Sequence, residues 1–365
     1  MRIIAIIGAR PQFIKHFPFE KACEGRIELK TIHTGQHYDE NMSAVFFEQL
    51  GMKKPDYMLN IGSNSHGAQT AKMMIEIEEI LVEEKPDGIV VYGDTNSTLA
   101  GSLVASKIHI PIFHIEAGLR SYNKQMPEEI NRILTDHVSS CLFTPSNIAT
   151  KNLEKEGVVK NVFEVGDIMK DLVFYVENNG LLRGFPEDSE YYYATIHRPY
   201  NTDDKTRLSY VFKNLNDLDK PVVMAIHPRT KNNAEKYNLK LDRYSNIKFI
   251  NPQGYIDNLS YLNSSKGLIT DSGGMQKEAY WLKRKCVTIR SETEWLETLK
   301  EGNNVLLFED LTRLRELMVK ECEGWDEKLY GGGNASDEIV ASIISFLVGN
   351  GYKENINKTR KNFPL

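Results

Sequence analysis

Apolar residues recur along this chain in short unbroken runs, separated by longer segments in which they return every three or four positions. The short runs predict buried strands, and the periodic segments predict helices packed over them. In the first half the predicted strands are Arg2–Ile7, Ile27–His33, Gly88–Gly93, Ile110–Ala117 and Ser140–Thr144. The clearest helix is Ala71–Glu84, where Met73, Met74, Ile77, Ile80 and Leu81 form one stripe and Lys85-Pro86-Asp87-Gly88 supplies the stop. Strand alternating with helix predicts βαβ units and a parallel sheet. The alternation breaks over 166–190, where Asn178-Asn179-Gly180 and Gly184-Phe-Pro-Glu-Asp188 are polar. A second series then begins, with strands at Tyr191–His197, Pro221–His227, Ile247–Asn251, Gly267–Asp271, Lys285–Arg290 and Asn304–Phe308. The predicted fold is therefore α/β, with two Rossmann-like, doubly wound parallel-sheet domains that join near 167–172. Their strand ends are expected to line an interdomain cleft.

A length of 365 residues suits two such halves better than one core. A net charge of −5 gives no global basic face, so a nucleic-acid partner is not expected, and any anion site must be local. The N-terminal apolar run, Met1–Gly8, is too short for a secretory signal, and no run approaches the ~18 apolar residues of a membrane span. A cytoplasmic protein without a membrane partner is expected. The four cysteines, at 23, 141, 286 and 322, have neither metal-ligand nor redox spacing and read as buried thiols.

Candidate chemistry gathers where strands end. Gly8-Ala-Arg-Pro-Gln-Phe-Ile-Lys15 is a strand end, a turn and a helix start, with Pro11 suited to the first helical turn. Such a helix start binds anions, and Arg10 and Lys15 would add full charge; a solvated turn is the alternative. It is neither a GxGxxG nor a Walker loop. In Thr34-Gly-Gln-His-Tyr38, Gln36 and His37 either line the crevice or serve a turn. Asp94, in Tyr92-Gly-Asp-Thr-Asn-Ser-Thr98, is a candidate general base, while Asp94, Thr95 or Asn96 is a candidate helix cap. Glu116 ends an otherwise apolar strand in His114-Ile-Glu-Ala-Gly-Leu-Arg120, and a carboxylate there needs a partner or a function. Pro127 opens a helix with Glu128 and Glu129 in its first turn, and Glu128 and Arg132 stand at i, i+4, where they can pair. His197, in Ile196-His-Arg-Pro-Tyr-Asn201, reads either as cleft-facing or as a core histidine. In Thr270-Asp-Ser-Gly-Gly-Met-Gln-Lys-Glu278, the N–H groups of Ser272, Gly273 and Gly274 suit a diphosphate and Glu278 suits two ribose hydroxyls. Thr293 and Glu294, in Arg290-Ser-Glu-Thr-Glu-Trp295, follow a strand and lie within reach of that turn.

Taken in order, GARPxxIK, TGQH, YGDTNST, HIEAGLRS, PEEINR, IHR, TDSGGxQKE and TEW resemble the non-hydrolysing UDP-N-acetylglucosamine 2-epimerases along nearly the whole chain. The resemblance implies the two-domain GT-B fold, no organic cofactor, no obligatory metal and a homodimer. It implies domains at 1–168 and 169–349, with the C-terminal helix and the tail near 350–365 packing back on the first. It implies interconversion of UDP-GlcNAc and UDP-ManNAc, by loss and re-addition of UDP through 2-acetamidoglucal, for surface-polysaccharide precursors. By motif match Asp94, Glu116 and Glu128 are the acid/base candidates; Arg10, Lys15, Arg132 and His197 stabilise charge; and Ser272, Gly273, Gly274 and Glu278 hold UDP. Gln36, His37, Arg198, Thr293 and Glu294 complete the expected UDP-sugar contacts.

Two departures bear on the sugar. Many members read His-Arg-Arg/Ala-Glu-Asn where this chain has His197-Arg-Pro-Tyr-Asn201, and Thr-Glu-Arg-Pro-Glu where it has Thr293-Glu-Trp-Leu-Glu297. The second pattern resembles a branch acting on UDP-2,3-diacetamido-2,3-dideoxy-glucuronic acid, which stands as the alternative substrate. More distant alternatives are a hydrolysing epimerase, a GT-B glycosyltransferase, which needs an acceptor pocket instead of a carboxylate trio, and a nucleotide-sugar binding protein without catalysis.

Overall fold

The computed structural model describes residues 1–36, 50–62, 64–184 and 190–349; Arg10 is described in its backbone alone. The described residues form two compact units, one within 1–172 and 328–349 and the other within 173–327. The family resemblance places the second domain at 169–349. Residues 328–349 instead belong with the first unit, for packing reasons given below.

The first unit holds a seven-stranded sheet in the order β3-β2-β1-β4-β5-β6-β7, with every pair parallel. The strands are β1 (Arg2–Ile7), β2 (Glu28–His33), β3 (Tyr57–Met58), β4 (Gly88–Tyr92), β5 (Ile112–Ile115), β6 (Cys141–Thr144) and β7 (Val162–Glu164). The central strands β1, β4, β5 and β6 read as continuous apolar runs because helices cover both faces. Those helices are α1 (Arg10–Cys23), α2 (His66–Glu84), α3 (Asn96–Lys107), α4 (Pro127–Val138) and α5 (Asn147–Lys155). One core layer joins Ile4, Ile6, Ile89 and Val91 of the sheet to Met73, Ile77 and Leu81 of α2 and Val104 of α3.

Next, α6 (Ile168–Asn178) carries the chain into the second unit. Its six-stranded parallel sheet has the order β10-β9-β8-β11-β12-β13. The strands are β8 (Tyr192–Thr195), β9 (Val222–Ala225), β10 (Ile247–Ile250), β11 (Leu268–Thr270), β12 (Cys286–Thr288) and β13 (Asn304–Leu306). Its helices are α7 (Pro199–Thr202), α8 (Lys205–Asn216), α9 (Pro228–Lys236), α10 (Tyr255–Ser264), α11 (Gly273–Trp281) and α12 (Leu314–Val319). Each sheet reverses strand order once, at β1/β4 and at β8/β11, and the crevice beyond the strand ends at such a reversal is where α/β sheets bind ligands.

The last helix, α13 (Ala335–Gly349), returns to the first unit. The Phe346 ring meets Phe113 of β5 edge-on at 5.7 Å, and Arg26, just beyond α1, pairs with Asp337 at 2.7 Å. Buried Asp171 caps the helix by accepting from the N–H groups of Ala335 (3.1 Å) and Ser336 (2.7 Å). Buried Lys170 donates to the carbonyls of Leu329 and Gly331. The expected tail at 350–365 lies outside the described residues.

Cys23, Cys141 and Cys286 are buried, and burial pushes each thiol up to about 12, as befits inert core residues; Cys322 is partly exposed. Among the described residues, no helix is long and apolar enough to cross a membrane.

Candidate functional site

In the first unit the candidate residues come together at the carboxyl ends of β1, β4 and β5. Strand β1 ends at Ile7, and Gln12, in the first turn of α1, accepts from the N–H groups of Gly8 (2.7 Å) and Ala9 (3.1 Å). The same side chain donates to the Tyr92 carbonyl at 3.0 Å, so the β1 turn is tied to the end of β4. One turn further along α1, buried Lys15 forms an ion pair with Glu116. Glu116 follows β5 with φ +68°, a left-handed backbone that non-glycine residues rarely adopt and that collects at functional sites. Burial works against charge on Lys15, and the Glu116 carboxylate outweighs it, so the ammonium sits above the ordinary lysine value. Asp94 and Asp167 act in the same direction.

Asp94 lies just past β4 and pairs with Arg132 of α4. The competition between capping and catalysis at this turn is resolved by Thr95, whose hydroxyl caps α3 through the Thr98 N–H and leaves the Asp94 carboxylate to the arginine. Burial pushes Asp94 above the ordinary carboxylate value, against the pull of Arg132 and Lys15 and with the help of Glu116. Two neighbouring carboxylates thus each meet a cation of their own, an arrangement suited to separate acid and base roles.

The expected i, i+4 pairing of Glu128 with Arg132 gives way to another. Arg132 pairs with Asp94 and, at 3.1 Å, with Glu129. Glu129 is buried and also accepts from the N–H groups of Ser121 (2.9 Å) and Tyr122 (2.8 Å), while Glu128 is exposed in the first turn. Gln36 is tied into the start of the neighbouring helix. Gln36 is buried, and its side-chain oxygen accepts from the Ser97 N–H (3.0 Å) and hydroxyl (2.7 Å), which fixes the start of α3. His37 and the Arg10 side chain lie outside the described residues.

In the second unit, β8 ends beside β11. His197, half-buried, sits with its Nδ1 3.2 Å from Asp271, a fully buried carboxylate. Asp271 also accepts from the backbone N–H groups of His197 (3.0 Å) and Arg198 (2.9 Å). The Arg198 side chain is exposed. Ser272 stands at the N-cap position of α11 without a side-chain capping bond, its own N–H donating to the Thr270 hydroxyl at 3.0 Å, and Gly273 and Gly274 open the helix, so their N–H groups have no acceptor within it. Glu278, one turn further, is buried. Thr293 is buried, donating to Gln276 at 2.9 Å and accepting from the Trp295 N–H. Glu294 accepts from Arg290 at 3.1 Å.

Sequence reasoning missed Arg290, Asp271, Glu129 and Asp136. Arg290 and Asp271 carried the signal used for Glu116, a charged residue closing an apolar strand. Glu129 and Asp136 carried no such signal, since a helical carboxylate reads as solvated until its neighbours are known.

An α/β sheet with two carboxylate–cation pairs at its switch point, and a second sheet with a glycine-opened helix at its own, define an enzyme of the GT-B class that handles nucleotide sugars. Residues 21–344 match the family described as UDP-N-acetylglucosamine 2-epimerase, and the chain belongs to that family. It is 45% identical over 352 residues to a Methanococcus maripaludis protein named UDP-N-acetylglucosamine 2-epimerase homolog, covering 93% of this chain and 98% of that one. It is 46% identical over 356 residues to the Pseudomonas aeruginosa UDP-2,3-diacetamido-2,3-dideoxy-D-glucuronate 2-epimerase, with the same coverage. The crystal structure of Methanocaldococcus jannaschii UDP-GlcNAc 2-epimerase in complex with UDP-GlcNAc and UDP superposes with a TM-score of 0.85 at 42% identity, over 95% of this chain and all of that one.

Proposed function

We propose that the protein interconverts UDP-GlcNAc and UDP-ManNAc without hydrolysis. The observation that carries this reading is the pair of carboxylates at adjacent strand ends, Asp94 with Arg132 and Glu116 with Lys15. The C2 hydrogen of the substrate is not beside a carbonyl, so simple enolisation is closed to it. The reaction instead removes that hydrogen as a proton while the C1–O bond to UDP breaks; the C2–H electrons form the C1–C2 double bond of 2-acetamidoglucal, and UDP leaves with the C1–O pair. UDP then adds back to C1 as C2 takes a proton on its other face. One proton-handling group is needed on each face, with donors on the departing diphosphate.

In this reading Asp94, Glu116 and Glu128 form the acid/base set, and Arg10, Lys15, Arg132 and His197 balance developing charge. The α11 start, Ser272 to Gly274, takes the diphosphate and Glu278 the ribose. His37, Arg198 and Glu294 serve as substrate contacts, while Gln36 and Thr293 serve by holding the turns beside it. The protein acts in the cytoplasm as a homodimer, and the dimer finds support in the exposed Ile130 and Leu134 one turn apart on α4.

A second reading, epimerisation of UDP-2,3-diacetamido-2,3-dideoxy-glucuronic acid, is favoured by Thr293-Glu-Trp-Leu-Glu297. There Trp295 stands where many members carry arginine, and its ring lies 3.6 Å from the Lys277 ammonium. Proton NMR of the protein in D2O, with UDP-GlcNAc and separately with the diacetamido-uronate nucleotide, tests both readings. Deuterium at C2 with a UDP-ManNAc signal supports the first; exchange confined to the uronate nucleotide selects the second; free ManNAc and UDP mean hydrolysis; exchange with neither sugar refutes epimerisation.

A further inference from the structure

We propose that Asp136 is a positioning residue, acting in part through His114, that holds three elements of the acid/base site in one geometry; the inference rests on the function proposed above. Asp136 stands on α4 one turn after Arg132, so its first attachment is to the helix that carries Arg132 and Glu128. Its Oδ1 meets His114 Nδ1 at 2.7 Å, and the other ring nitrogen of His114 lies 2.8 Å from the carbonyl oxygen of Gly93. That carbonyl belongs to the peptide bond joining Gly93 to Asp94, so the ring grips the backbone that aims the Asp94 carboxylate. The other oxygen of Asp136 accepts from the N–H of Gly118 at 3.2 Å, two residues past Glu116, and from Arg120 at 2.7 Å. Arg120 in turn clasps Glu156 through two bonds of 2.7 Å. One buried carboxylate therefore reaches the turn after β4, the turn after β5 and α4.

These turns need an external clamp. Glu116 has a left-handed backbone at φ +68°, which in a residue other than glycine persists only where the surroundings over-determine it, and it lies between Gly93 and Gly118, whose own left-handed φ of +60° and +80° glycine adopts without strain. The turns are also tightly packed on each other. A Cβ at Gly93 would lie 3.1 Å from the Glu116 carboxylate and 3.2 Å from the Lys15 ammonium, so the peptide held by His114 has little room to drift. Stability alone does not account for the device, because a buried ionic chain is a weak stabiliser beside a well-packed apolar one. A reaction that handles protons on both faces of one carbon requires Asp94 and Glu116 at a fixed separation, and displacement of about 1 Å costs on the order of a hundredfold in rate.

The test measures kcat, KM, UDP affinity, C2 deuterium exchange and thermal midpoint for full-length D136N, H114A and H114Q, with E156Q as a control on the outer end of the chain. The expected result is a kcat lower by about a hundredfold in D136N and H114A, with UDP affinity within about threefold of wild type, exchange falling in step with kcat and E156Q unchanged. Glutamine keeps a donor for the Gly93 carbonyl, so H114Q should recover about tenfold over H114A. Variants that melt earlier but keep the wild-type kcat overturn the proposal, as does a loss of UDP affinity that matches the loss of kcat. If D136N does not fold, the two His114 variants decide, since they leave the Asp136 bonds to Gly118 and Arg120 in place. If H114A fails as well, H114Q against wild type decides. A wild-type protein that exchanges C2 hydrogen in neither UDP-sugar overturns the functional reading and the proposal with it; an active wild type with unaffected variants overturns the proposal alone.

Discussion

Replacing Lys15 by methionine isolates what the Glu116 carboxylate owes to its cation. The two side chains are 9% and 10% exposed, and methionine preserves most of the lysine stem, so the change is mainly electrostatic. Removing one partner of a buried pair costs roughly 3–5 kcal/mol. Protonation caps that cost, because Glu116 in the variant takes a proton once ionised burial becomes dearer than neutralisation. With an ordinary glutamate value of about 4.3, the ceiling is about 1.36 kcal/mol for each pH unit above it, or about 4 kcal/mol at pH 7.5 and about 1.6 kcal/mol at pH 5.5. Urea unfolding of wild type, K15M and K15M/E116Q at both pH values reads these differences directly. K15M should recover about half or more of its lost stability on acidification, and the double variant should be more stable than K15M at pH 7.5. A K15M penalty equal at the two pH values, or a double variant no better than the single, would refute the assignment of Lys15 as the counter-ion of Glu116.

Three further outcomes are expected. Asp94→Asn and Glu116→Gln should each lower turnover by about 10²–10⁴-fold while UDP binding is largely kept, and wild-type turnover in either would remove that residue from the acid/base set. At Gly273 a Cβ would meet only Trp295 Nε1 at 3.6 Å and Arg290 Nη1 at 3.7 Å, ordinary contacts, so Gly273→Ala should fold normally; calorimetry should show UDP affinity weaker by tenfold or more if the diphosphate sits against that helix start, and unchanged affinity would move the diphosphate elsewhere. Burial raises Asp171 to about 6, against the N–H groups of Ser336 and Ala335 that favour its charge. Its folded value exceeds the unfolded one, so ionisation opposes folding: the cost is absent below about pH 4, grows to about pH 6 and is complete above, with a ceiling near 3 kcal/mol. Asparagine can accept only one of the two N–H bonds that Asp171 accepts, so the test is the pH dependence: the stability of wild type relative to Asp171→Asn should rise as the pH falls from 7.5 to 4, and a difference that stays constant or falls would contradict this.

Much of the architecture was legible in the chain because parallel strands covered on both faces leave unbroken apolar runs. Strands β1, β4, β8 and β11 stand within the predicted segments. The short edge strands β3 and β7 escaped, since Tyr57–Met58 and Val162–Glu164 are too brief and too polar to read as runs. Helix α2 begins at His66 instead of Ala71 because its first turn is polar; buried Gln69 there donates to the Gly62 carbonyl at 2.7 Å, a bond with no hydrophobic signature. At the site, strand-end residues such as Asp94 and Glu116 announced themselves by breaking an apolar pattern. Their partners did not: whether Arg132 turns to Glu128 or to Glu129 depends on which face of α4 meets the β4 turn, and that is settled by tertiary packing.

The return of α13 to the first unit also bears on the order in which the protein is built. Residues 173–327 are contiguous and carry a complete sheet, so that unit can fold as soon as it clears the ribosome. The first unit, though begun earlier, waits with the α1 surface and the edge of Phe113 uncovered until residues 335–349 have been made. During that interval the apolar face of Phe113 that Phe346 covers in the finished protein is open to solvent.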